Sequence, residues 1–145
     1  MTDDTTSTIL RIRPADENHQ VVTIESPKGY VAYRKEPCPH CPWRKDQPTG
    51  RFPADAFRHS AETAHDMSTH RFGCHMSGTS QPETCAGFLL SGAQHNLAVR
   101  LDLMKGQIDM GEVTSAVPLY ESYREMAVAN GVPPGDPVLA LCRDT

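Results

Sequence analysis

The sequence predicts a small α+β protein: a short antiparallel sheet, about three helices and a pair of loops ordered by a metal ion. Three observations predict it. Two β-rich runs lie near the N-terminus, apolar residues recur at helical spacing in the second half, and four of the five cysteines fall in polar loops. A chain of 145 residues suits one domain, here residues 9–145 behind a tail at 1–8. Its core is modest, since only 38% of residues are hydrophobic and 6% aromatic. The 12 prolines and 10 glycines assign much of the rest to turns and loops.

The elements follow in order. The tail is acidic, small and polar, a composition that favours disorder. Ile9–Arg13 alternates, with Leu10 and Ile12 on one face and Arg11 and Arg13 on the other. Val21–Ile24 and Tyr30–Tyr33 are β-branched and aromatic, and turn residues lie between them. Two or three antiparallel strands result. Pro37, Pro39, Pro42, Pro48 and Gly50 make 36–52 a loop, because proline removes amide donors and fixes φ. Pro53–Ala64 reads as a helix, with Pro53 at its first position and Phe57 and Ala61 on one side. Cys74–Cys85 spans a second loop. A longer helix is expected from Cys85 to Lys105, with Phe88, Leu89, Leu90, Ala93, Leu97, Leu101 and Met104 as its apolar stripe. Gly87 and Gly92 weaken its first half, and Gly106 closes it. The last helix is expected over Pro118–Asn130, capped upstream by Ser115 and stopped by Gly131. Val138–Cys142 is a short apolar end.

Net charge is −4, yet residues 28–58 hold seven bases and three acids. Such a run is ordinarily a solvated face, and a dedicated duplex-DNA binder carries a larger basic excess. Tyr30, Tyr33 and Trp43 among these bases keep nucleic acid as a minor partner. No apolar run approaches the ~20 residues of a membrane span. The first ten residues lack a basic start and an apolar block, so a cytoplasmic chain with reduced thiols is expected.

The cysteines carry most of the chemistry. Cys38 and Cys41 form a CxxC pair; Cys74 follows after 32 residues and Cys85 after ten more. Two thiols on a tight turn can reach one ion at about 2.3 Å, and a second pair closes a tetrahedron. The metal set is therefore Cys38, Cys41, Cys74 and Cys85, with His75 and His40 as replacement ligands. Cys142 fits a small buried hydrophobe and stays outside the set. Zinc is favoured, and an iron–sulfur cluster is the alternative cofactor, since each Cys of the first pair precedes a proline. Pro42 is expected to cost the site one amide. Cys38-Pro-His-Cys41 also has the letters of a DsbA-type oxidoreductase centre, which needs a helix after the first Cys; Pro42, Pro48 and Gly50 interrupt it. No hydrolase, nucleotide-binding or phosphate-loop motif is present, so no enzyme activity is assigned. Asp102 and Asp109 read as surface residues.

The motifs Pro37-Cys-Pro-His-Cys-Pro-Trp-Arg44, Phe72-Gly-Cys-His75, Cys85-Ala-Gly87 and Asn96-Leu-Ala-Val-Arg100 resemble a family of uncharacterised actinobacterial and actinobacteriophage proteins. Its pattern is CPxCPWR, F-x-CH, C-x-G, and the likeness covers about residues 36–101. The resemblance implies grouping of the four cysteines with His75, and it adds Trp43, Arg44 and Arg100 as recurring positions and candidate binding residues. The ordinary role of Trp43 is a core anchor over the metal loop. That of Arg44 is an ion pair to Asp46 or Asp55. The expected function is a small cytoplasmic zinc-ordered module with a protein partner, in the phage reading a host factor. An iron–sulfur redox protein and a thiol oxidoreductase are the alternatives.

Overall fold

A computed structural model describes residues 8–17, 19–25, 30–74, 76 and 81–142. The tail at 1–7, the turn at 26–29 and His75 lie outside the described residues. The architecture is α+β, with one two-stranded antiparallel sheet and four α-helices among the described residues. β1 (Thr8–Pro14) pairs with β2 (Gln20–Glu25) in the register Ile12 to Val22 and Arg13 to Val21. A register shift between Ile9 and Arg11 leaves Leu10 opposite no partner.

Tyr30–Tyr33 adds no third strand. Tyr33 forms a single parallel bridge to Thr84, and Gly73 bridges the same residue antiparallel. The Thr84 amide donates to the Ala32 carbonyl and its carbonyl accepts from the Arg34 amide. Buried Thr84 is thus the middle rung of a ladder too short to be a sheet. That ladder sets Cys74 opposite Glu83 and Cys85 opposite Phe72, on either side of the Gly73–Thr84 bridge.

α1 (Ala54–Ser60) continues as a 3-10 turn over Ala61–Ala64, and Phe57 and Ala61 are buried as the pattern predicts. The expected helix 85–105 is two helices, α2 (Ala86–Ser91) and α3 (Leu97–Met104). Gly92 ends the first, its amide donating to the Phe88 carbonyl. Asn96 starts the second, its side chain accepting from the Val99 amide. The Asn96 amide group also donates to the carbonyls of Thr63 and His70, so this cap pins three segments together.

α3 turns a different face inward than its Leu/Met stripe suggests. Ala98, Val99 and Asp102 are buried, whereas Leu101, Leu103 and Met104 are exposed. Asp102 is not a surface residue: its carboxylate accepts from Arg71 and compensates the burial. α4 (Tyr123–Ala129) begins later than expected, capped by Ser122 rather than Ser115. Residues 118–120 are extended against the cysteine loop, with Lys45 donating to the Pro118 carbonyl and Tyr120 to that of Trp43. Gly131, at φ +104°, stops α4 as the pattern predicts. No helix among the described residues is long and apolar enough to cross a membrane.

Trp43 is the centre of the core. Its indole meets Phe72 and Tyr123 edge-on, at ring-centroid distances of 5.8 and 5.9 Å, and lies 6.3 Å from Phe88. It lies against α2 because that helix is smooth there. A Cβ on Gly87 would stand 2.5 Å from the Trp43 Cβ, and one on Gly92 2.3 Å from its Cη2. The two glycines weaken α2 and make room for the tryptophan.

Candidate metal centre

The CxxC segment is a chain of turns with no helix. The Cys41 amide donates to the Cys38 carbonyl and the Arg44 amide to the Cys41 carbonyl, both at 3.1 Å. The second half comes from the Thr84 ladder: the Cys74 amide donates to the Glu83 carbonyl and the Cys85 amide to that of Phe72. α2 starts immediately after Cys85. These three segments bury Cys38, Cys41, Cys74 and Cys85, each less than a tenth exposed, and bring them together in two pairs, Cys41 with Cys85 and Cys38 with Cys74.

All four carry thiols, with no disulfide. The Sγ atoms of Cys41 and Cys85 are 3.6 Å apart. The Cys38 thiol hydrogen-bonds to Cys74 and also feels the charge of Cys41. Four sulfurs at about 2.3 Å from a common ion would be about 3.8 Å from one another, so the Cys41–Cys85 spacing is already close to that edge. Among the described residues, no group of three or more His, Cys, Asp or Glu side chains is arranged as a preformed metal cage. The thiols instead satisfy one another in pairs. His75, the alternative ligand, is outside the described residues. His40 is exposed and accepts a hydrogen bond from Arg51.

Electrostatics separate the thiols. Burial pushes the Cys38 thiol up to about 11. The hydrogen bond from Cys85 holds Cys41 below the usual thiol value, helped by the amides of Trp43 and Gly87 and the Arg44 charge. The same hydrogen bond, with burial, raises Cys85 well above it. The proton of that pair therefore belongs to Cys85, and Cys41 is the sulfur readiest to ionise.

The amides that stabilise sulfur follow one rule. His40 donates to Cys38, Trp43 to Cys41 and Gly87 to Cys85, each from two residues past the cysteine. Phe88 adds a second donor to Cys85. Pro39 and Pro42 stand one residue past their cysteines, where no donor is used. The expected cost of Pro42 is therefore absent: it stiffens the turn and leaves the sulfur its hydrogen bond.

The other candidates separate by burial. Trp43 is wholly buried, which gives it the core-anchor role and leaves no face for a ligand. Arg44 grips Asp46 with two hydrogen bonds of 2.8 and 2.7 Å and donates to the Cys38 carbonyl. Arg100 is exposed on α3. Cys142, outside the cluster, donates to the Ala61 carbonyl. Sequence reasoning missed Thr84, Gly92 and Asn96. Two glycines five residues apart, just after a cysteine and opposite a single tryptophan, are the signal that could have found the Trp43 seat.

No curated protein and no solved structure matches the chain. A family model matches residues 33–143 and so takes in α4, which the resemblance at 36–101 left out, while β1 and β2 stay outside it. The chain thus belongs to the family of unknown function DUF6283.

Proposed function

We propose that the protein is a small binding module whose body is held in shape by one metal ion, zinc in the first place, on Cys38, Cys41, Cys74 and Cys85. The observation that carries this reading is the gathering of four buried thiols from three distant segments, with backbone amides aimed at three of the sulfurs. Thiols buried only to fill space do not need amide donors, whereas thiolates on a cation do. Zinc would supply a fixed tetrahedral charge that draws off the thiol protons, Cys41 ionising first. Cys38 joins the CxxC turn to Cys74, and Cys85 ties α2 to the same centre.

An iron–sulfur cluster uses the same four ligands and is the second reading, favoured by the amide-to-sulfur hydrogen bonds that also tune clusters. The oxidoreductase reading gains no such support. Its attacking thiol would be Cys38, which is 3% exposed and has its thiol pushed up to about 11. That is the reverse of an activated cysteine.

The module's partner is proposed to be a protein, a host factor in the phage reading. Five of the six described bases in 28–58 are ion-paired: Arg34 with Glu83, Lys35 with Glu112, Arg44 with Asp46, Lys45 with Glu125 and Arg58 with Asp136. A face neutralised in this way favours a protein over a nucleic-acid backbone. The test is anaerobic purification followed by absorption spectroscopy and cobalt substitution. Colourless protein that gives tetrathiolate cobalt spectra supports zinc. Visible cluster absorption selects iron–sulfur, and no uptake of either metal overturns the proposal.

A further inference from the structure

Cys41 and Cys85 hold their sulfurs 3.6 Å apart, although 44 positions separate them in the chain. That is contact distance for two unbonded sulfurs. A disulfide needs about 2.05 Å, so closing the gap takes a movement of about 1.5 Å.

Packing holds the two sulfurs there. Cys41 is followed by Pro42 and then by Trp43, whose buried indole lies on Gly87 and Gly92 of α2. Cys85 is the residue that opens α2. The seat of the tryptophan on the helix therefore also fixes the CxxC turn against the helix start. The CxxC pair itself is turned otherwise. Its turn closes through the backbone, the Cys41 amide donating to the Cys38 carbonyl at 3.1 Å, while the Cys38 thiol hydrogen-bonds to Cys74. Each CxxC thiol thus faces a cysteine of the second loop.

We infer that Cys41 and Cys85 are a site of reversible oxidation, joined by peroxide as a disulfide that crosses from the CxxC turn to α2. The first sulfur takes an oxygen from hydrogen peroxide and becomes a sulfenic acid, and the second, already in contact, displaces that oxygen as water. Two thiols and one peroxide thus give one disulfide and two waters: both S–H bonds and the O–O bond break, and the sulfurs lose the two electrons that the peroxide gains. Cys41 is 0% and Cys85 4% exposed, so peroxide enters through local opening of the loop, and oxidation is slow beside that of a surface thiol. The reaction also consumes two of the four sulfurs proposed to hold the cation and so expels it. That consequence rests on the metal reading; the bond between Cys41 and Cys85 does not.

The test treats the full-length protein as purified with an equivalent of hydrogen peroxide, blocks the remaining thiols and identifies linked peptides by mass spectrometry. Cleavage after Lys, Arg and Glu leaves Cys38 and Cys41 on one peptide, Cys74 on a second and Cys85 on a third, and fragmentation before Pro39 tells Cys38 from Cys41. The expected result is a Cys41–Cys85 link, loss of that pair from the titratable thiols, and its full return on reduction. A link confined to another pair, such as the CxxC itself, a scramble that takes in Cys142, or thiols that peroxide leaves unchanged would each overturn the proposal. Metal released from the same sample is measured alongside. The link together with metal release upholds both readings. The link in protein that held no metal upholds this proposal and overturns the metal, and metal-bound protein that never forms the link does the reverse.

Discussion

The β1–β2 hairpin and the cysteine-centred body are held by different physics. In the body, distant segments converge on buried side chains: Trp43, Phe88, Tyr123 and Met126 have almost no exposed surface, and the four cysteines lie beside them. The hairpin has no such interior. Ile9, Leu10 and Ile12 are each about half exposed. It is fastened by polar and edge contacts: Arg13 to Glu62 at 3.0 Å, His59 to the Pro14 carbonyl at 3.1 Å, and the His19 ring against Phe52. An isolated two-stranded ribbon is marginal in water. The hairpin is therefore expected to depend on the body, and the body not on the hairpin. The family match divides the chain at the same place, beginning at residue 33.

Under the proposed metal site, the largest effect should come from chelation or from loss of one of the four cysteines. Chelation, or Cys41→Ala, is expected to abolish the cooperative unfolding transition of the body, since structural zinc supplies an apparent ~10–16 kcal/mol in small zinc peptides. Circular dichroism during chelator titration checks this, and a melting curve that ignores the chelator counts against the metal. Next comes the tryptophan seat. Trp43→Ala should cost about 3–5 kcal/mol in urea unfolding. Gly92→Ala should cost about 1–3 kcal/mol, because its new Cβ meets the indole. Made together they should cost less than their sum, as the clash disappears with the ring. Strict additivity would mean that Gly92 is not there for Trp43.

Deleting residues 1–25 should move the melting temperature of the remainder by no more than about 4 °C. A larger fall would show that the hairpin carries the body after all. The smallest effect concerns acid. The Arg58 guanidinium and the Val138 amide hold the Asp136 carboxyl below its ordinary value. A depressed carboxyl stabilises the fold above its unfolded value and loses that contribution as pH falls through the folded one. The stability gap between wild type and Arg58→Ala should thus be full at neutral pH and shrink below about pH 4, read from melting curves across pH.

What could be read from the sequence divides along physical lines. β1, β2 and α1 were legible because local sequence decides them: alternation at 9–13, a β-branched run at 21–24, and Pro53 followed by inward Phe57 and Ala61. The irregular backbone at Cys38 and Cys41 was legible because its prolines rule out regular structure, and the turns over 38–44 follow from them, whereas the shared site of the four cysteines is a proposal. The break between α2 and α3 was not, since Gly92 answers to Trp43, far away in the chain, and Asn96 to Thr63 and His70. The α3 face misled for a related reason. Its leucines and Met104 form a stripe, but the space available beneath the helix admits Ala98 and Val99, and Arg71 makes Asp102 tolerable inside. Residues 118–122 carry helical letters, yet the edge offered by residues 43–45 keeps 118–120 extended.

The proposal that the four cysteines share one cation is the central claim about the body, and elemental analysis of protein purified without chelators tests it most directly. The account predicts one equivalent of zinc, or one iron–sulfur cluster, per chain, lost in Cys41→Ser and retained when residues 1–25 are removed. Metal-free protein that melts cooperatively at the same temperature with and without added zinc would contradict it.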